Sequence, residues 1–210
     1  MIWDHLSLVL SALILAVAAG VPLGLLAYLC PKVGKALLWV VDLIQTIPAL
    51  ALLGVIMVVT GPGSPTAMIG LALYSLLPIA RNTSLGLSQV PGHLKEAAAG
   101  MGMSPAYRLF HVDVPLAAPM LVTGIRIAAV NAIGTAVFAS FVGGGGLGGL
   151  FYTAIRQQNM AMILGGTAVL MAMALALDAG LGWVERRLSG NRRNKLPLPV
   201  KAAGGAVLAL

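Results

Sequence analysis

Glu96-Ala97-Ala98-Ala99-Gly100-Met101-Gly102-Met103-Ser104-Pro105, continuing through Ala106-Tyr107-Arg108-Leu109-Phe110-His111-Val112-Asp113-Val114-Pro115, is the longest polar interruption in an otherwise apolar chain. With Lys95 it gathers Glu96, Arg108, His111 and Asp113 within about five turns of helix, which reads as a water-facing helical segment. Apolar runs long enough to cross a bilayer flank it on both sides, so 92–114 is expected to be a loop at one membrane face.

Outward from this segment lie five apolar stretches, 6–29, 36–60, 66–87, 115–142 and 160–184. Each meets the roughly 20 residues that a helix needs to span the hydrocarbon core. Of the 210 residues 59% are hydrophobic and only 9% charged, with a mean hydropathy of +0.97, which excludes an ordinary soluble domain. The expected fold is an all-α integral membrane domain over 1–187 with about five transmembrane helices. A basic tail, 188–210, follows and is expected to be mobile. Met1 to His5 carries Asp4 and no Lys or Arg, so a cleaved secretory signal is not expected.

The formal charge of +7 is distributed by topology. An N-terminus outside places 10 of the 13 basic residues, Lys32, Lys35, Lys95 and Arg108 among them, on the inner side. Only Arg156 falls in an outer loop, and Arg81 and Arg126 fall within apolar stretches. The positive-inside rule therefore predicts an outer N-terminus and a cytoplasmic C-terminus, and it removes the need for a nucleic-acid partner. Trp3, Tyr28, Trp39, Tyr152 and Trp183 fall near the predicted interfaces, as an aromatic belt does.

Polar residues inside the apolar stretches are the candidates for a translocation path: Gln45, Thr46 and Pro48 in the second stretch, Arg126 and Asn131 in the fourth. In one reading Gln45 to Pro48 bends a helix that lines a pathway. In the other, Asp42 sits at the inner interface and Thr46 bonds its own backbone. Arg81 either snorkels to that interface or faces solute. Arg126 is a functional candidate as an intramembrane arginine, with a structural partner such as Asp178 or a backbone carbonyl as the competing reading. Gly20 and Gly24, on either side of Pro22, make a small-residue face suited to helix packing.

The run Gly143 to Gly149 resembles a phosphate loop, but Leu150-Phe151 follows where Gly-Lys-Ser or Gly-Lys-Thr is needed. It is expected instead to form a tight re-entrant or outer-face turn. There is no His-Glu-x-x-His helix and no Gly-x-Ser-x-Gly elbow. His93 and His111 lack a third ligand nearby, the six acids are scattered, and Cys30 as the only cysteine excludes an intramolecular disulfide. No catalytic residue and no metal site are expected, and the chain is not expected to be an enzyme by itself.

Glu96-Ala97-Ala98, three residues, Gly102, nine residues, Val112, one residue and Val114-Pro115 resembles the EAA signature of membrane subunits of bacterial ABC importers, with valines in place of the usual Ile and Leu. The resemblance implies a type I importer permease fold in which this loop forms two short helices seated in a groove of a separate ATPase. Glu96, Ala97, Ala98 and Gly102 fall at the docking positions, and Pro115 closes the signature. Alanines allow close approach, Gly102 a sharp turn, and Glu96 charge-assisted bonds. Gln45 to Leu50, Leu77 to Thr83, Gly100 to Ser104 and Gly144 to Gly149 are further similar to glycine betaine, carnitine and choline importers.

The implied partners are two ATP-binding cassette ATPases carrying ATP and Mg, a second permease copy or paralogue, a separate extracytoplasmic substrate-binding protein, and the bilayer of the inner membrane. No fused substrate-binding domain is expected in this chain. The alternatives are a permease for another small solute, such as an amino acid or oxyanion, and an ATPase-independent channel or scaffold.

Overall fold

A computed structural model describes residues 1–193; the expected tail from residue 194 onward lies outside the described residues. The chain runs through α1 (Ile2–Leu29), α2 (Pro31–Thr46), α3 (Ala49–Thr60), α4 (Ser64–Ser88), α5 (Gly92–Gly100) and α6 (Pro105–Arg108). A π-helical turn (Leu109–Asp113) joins α6 to α7 (Val114–Thr135), which tightens into a 3-10 helix (Ala136–Val142) before α8 (Gly148–Arg156) and α9 (Met160–Arg193). No strand occurs among the described residues.

α4 is the axis of the bundle, packed between α1 and α7, while α9 lies against α7. Small residues allow this. A Cβ added at Gly24 would stand 2.5 Å from Thr83 Cβ, and one at Gly124 would stand 2.7 Å from Asn82 Cβ. In lipid there is no hydrophobic gain from pairing helices, so this close backbone approach supplies the packing. Leu8, Val9, Leu71, Ile133 and Ala136 form the largest buried cluster, and Leu13, Ile79 and Ala128 the next. α1 and α7 continue through Pro22 and Pro119 without a break.

Two expectations are corrected. The second stretch, 36–60, is not one helix but α2 and α3, bent by 101° at a break. Proline disfavours the helical conformation in the residue before it, and Ile47, ahead of Pro48, is extended at φ −74°, ψ 128°. The fourth stretch does not begin at Pro115 either. One continuous helical segment runs from Pro105 to Val142. Pro115 has no N–H for an α-helical bond, and the ladder passes it through the π-turn, in which Val114 N–H donates to Leu109 O, five residues back.

Three segments, α1, Pro105–Val142 and Met160–Ser189, are long and apolar enough to cross a membrane, or four if α2 and α3 form one bent span. α4 also has the length, about 38 Å at 1.5 Å per residue, but a more polar sequence. Enclosed by α1, α2 and α7, it presents little surface to lipid and needs less hydropathy.

Candidate functional site

The polar segment folds as two short helices joined by a turn. α5 ends on a Schellman motif: Gly102, at φ 81°, donates to Ala99 O, and Met103 donates to Ala98 O. Only glycine enters that left-handed region without strain. Ser104 then caps α6, accepting from Tyr107 N at 3.3 Å, with Pro105 as the first helical residue. Lys95 ties α5 to the bundle by donating to Tyr28 Oη at 3.0 Å and Leu87 O at 3.2 Å, with its ammonium over the Tyr28 ring.

Glu96, Ala97 and Gly102 are exposed on this element, as is Pro115 beyond it. Ala98 is buried against the protein's own fold. Met101, Tyr107 and Phe110 are exposed, and the Tyr107 ring stacks on His111 at 3.9 Å. The segment is not water-facing throughout, as its polarity suggested. Asp113 is 0% exposed, and its only ionic partner among the described residues is Arg108, Nε to Oδ2 at 3.4 Å.

Of the candidate path residues, the structure brings Gln45 and Asn131 to one cleft of about 510 Å³, shared with Tyr74, Ser75, Thr135 and Phe138. Gln45 donates to Tyr74 O at 2.7 Å, and Tyr74 Oη donates to Ile47 O, so α4 grips the break between α2 and α3. Pro48 makes that break without lining the cleft, and neither does Thr46, whose hydroxyl donates to Leu43 O at 2.7 Å in its own helix. Arg81 meets Asp42 at 2.6 Å, an ion pair between α4 and α2 in which both side chains are exposed.

Arg126 has a structural partner. Its guanidinium is bidentate on Asp178, at 2.5 and 2.7 Å, and reaches Glu185 at 3.2 Å, which fastens α7 to α9. Gly182 leaves room for it on α9, since an added Cβ would stand 3.3 Å from Arg126 Cζ. A neighbouring cleft of about 320 Å³ contains Arg126, Asp178 and Asn131, so Asn131 belongs to both clefts.

At the other end of the bundle, roughly 35 Å along α1 by helix rise, sequence reasoning missed His5. Leu147 N–H donates to Nδ1 at 3.3 Å, so Nε2 carries the proton and donates to Ile133 O at 3.0 Å. The ring is 0% exposed and pins the glycine run to α1. A Cβ on Gly146, at φ 86°, would stand 3.0 Å from His5 Nδ1. A single histidine at the start of an apolar stretch carries no signal for such a role. No group of three or more His, Cys, Asp or Glu suited to a metal occurs among the described residues.

The profile of the family described as "Binding-protein-dependent transport system inner membrane component" matches residues 16–190. Similar relatives include the carnitine transport permease protein OpuCB of Listeria monocytogenes, 39% identical over 89% of this chain and 86% of the relative. The choline transport system permease protein OpuBB of Bacillus subtilis (strain 168) is 37% identical, covering 89% and 86%. The glycine betaine/carnitine/choline transport system permease protein OpuCD of the same strain is 38% identical, covering 92% and 85%. Among solved structures, a chain of the inward-facing MetNI methionine ABC transporter aligns with a TM-score of 0.80 at 23% identity, over 89% of this chain and 93% of that one, a likeness of fold.

Proposed function

The chain belongs to the family of binding-protein-dependent transport system inner membrane components, and from that membership we propose that it is the permease subunit through which an ATP-driven importer moves quaternary ammonium osmoprotectants such as glycine betaine, carnitine or choline. The observation that carries the solute class is the set of relatives at 37–39% identity over about nine-tenths of the chain, each named for one or more of these solutes.

In this reading five crossings of a type I permease are made by α1, the bent pair α2–α3, α4, the helix from Pro105 to Val142, and α9, with the N-terminus outside. The α5–α6 element then lies at the inner face. Glu96, Ala97 and Gly102 engage one of two ATPase subunits, which hold ATP and Mg, Ala98 keeps α5 close to the bundle, and Pro115 carries the motion into α7. A second permease copy or paralogue completes the path, and an extracytoplasmic binding protein delivers solute. The cleft of Gln45 and Asn131 lines that path, where the rings of Tyr74 and Phe138 offer weak cation–π contacts to a quaternary ammonium. Arg126, held by two carboxylates, fastens helices beside it.

The test is reconstitution of the permease with its ATPase and binding protein in liposomes, measuring uptake of labelled glycine betaine, carnitine and choline beside amino-acid and oxyanion controls. ATP-dependent uptake of the quaternary ammonium solutes is expected. Uptake of a control solute alone would overturn the solute class, and uptake that ignores ATP would overturn the importer reading.

A further inference from the structure

We propose that Arg108 and Asp113 are a positioning pair: their ion pair holds the π-turn between α6 and α7 and so sets the rotational phase of the α5–α6 element against the span. This role rests on the reading of 92–114 as the ATPase-coupling segment.

The spacing of the two residues carries the inference. They are five positions apart, and in an α-helix of 3.6 residues per turn such residues point about 140° away from one another. A π-turn bonds each residue to the one five ahead and so brings i and i+5 onto one face. The observed 3.4 Å contact between Arg108 Nε and Asp113 Oδ2 therefore exists only while 109–113 is π-helical. The dependence runs both ways. Asp113 is fully buried, and among the described residues neither of its oxygens accepts a hydrogen bond and Arg108 Nε has no hydrogen-bond acceptor, so the ion pair is the one interaction holding the two charges. Return to the α register would leave a buried carboxylate without a counter-charge, a strongly unfavourable state.

The rest of the joint keeps the two registers distinct. Pro115 has no N–H to give in either register, and Val114 N–H is committed to Leu109 O, five residues back, instead of to the α-helical acceptor Phe110 O. Leu109 is packed with Leu87, Val90 and Ala117, so the turn is seated on α4 and α7. A slip of one residue would rotate everything on the α6 side by about 100° relative to α7. Glu96 and Gly102 would then present a different face to a partner.

Two measurements test this on the full chain. In the complex with the ATPase and binding protein, solute moved per ATP hydrolysed is compared for wild type, Arg108→Ala, Asp113→Ala and the double variant. In the permease alone in bilayers, with Cys30→Ser, nitroxide labels at Met101 and Ile127 report the distance from the turn to α7. Each single variant is expected to keep ATP hydrolysis, to lose about tenfold or more in transport per ATP, the scale on which misplacement acts, and to shift the label distance. The double variant buries no lone charge yet should be no better than the singles. Recovery in the double variant, or unchanged ratio and distance in the singles, overturns the proposal. If an alanine variant does not accumulate, Asp113→Asn and Arg108→Lys give the same comparison. Failure of the wild-type permease to bind an ATPase would reject the coupling reading, while the label distances still decide the role of the pair.

Discussion

Pro48 and Pro115 interrupt apolar stretches in the same chemical way and with opposite results. Before Pro48 the chain leaves the helix, α3 restarts at 101° to α2, and the exposed groups are gripped from α4 by Gln45–Tyr74 and Tyr74–Ile47 hydrogen bonds. At Pro115 the helix goes on, and the residue before it is bonded in a π-turn, Val114 N–H to Leu109 O. A proline thus specifies a defect in the ladder, and its neighbours decide whether the defect becomes a bend or a change of phase. A bend shapes a cavity. A phase change, placed between two surface helices and the helical run from Val114 to Val142, orients one element against another.

The largest effects are expected on the Pro115 side. Glu96→Lys and Gly102→Asp should each lower uptake by about tenfold or more while the permease stays in the membrane at its usual level. The first reverses an exposed charge, and the second forces a side chain into the φ of 81° that ends α5. Uptake and quantitative membrane blots check both, and ordinary uptake in either would remove the docking role. On the Pro48 side the expected losses are smaller. Tyr74→Phe and Gln45→Leu each delete one neutral hydrogen bond, worth about 1 kcal/mol, so thermal unfolding should come at lower temperature, and uptake and solute-stimulated ATP hydrolysis should fall together severalfold. Uncoupled hydrolysis in these variants would erase the distinction between the two prolines.

Much of this was legible in the sequence, for physical reasons. Apolar length identified helices, and Gly102 marked the sharp turn between the two short helices, because left-handed backbone is a property of a single residue. What stayed hidden depends on contacts between distant segments. Arg126 had two open readings until α9 supplied Asp178 and Glu185, 52 and 59 residues later. Arg81 was weighed between the interface and solute, and its ion pair with Asp42 on α2 was part of neither reading. His5 joins residues 128 and 142 positions away. Asp113 was counted with the polar residues of a water-facing segment, whereas the structure buries it and pairs it with Arg108 across a local π-turn. The bend at Ile47-Pro48 was one of two readings, but the hydrogen bonds that tie it to α4 involve Tyr74, about 27 residues on.

The smallest expected effect separates two adjacent residues at the bend. Thr46 and Gln45 are both polar, both within an apolar stretch, and about 100° apart around the helix. Gln45 crosses to α4 and lines the cleft, whereas Thr46 is exposed, lies off the cleft, and already satisfies its hydroxyl on Leu43 O. A hydroxyl bonded within its own helix contributes nothing to the grip on α4, and valine matches the shape of threonine. Thr46→Val should therefore leave solute uptake within about twofold of wild type, under the 1.4 kcal/mol that a tenfold change requires. If its uptake fell as far as that of Gln45→Leu, the solute would touch the face of α2 that carries Thr46, and the path would run along that face.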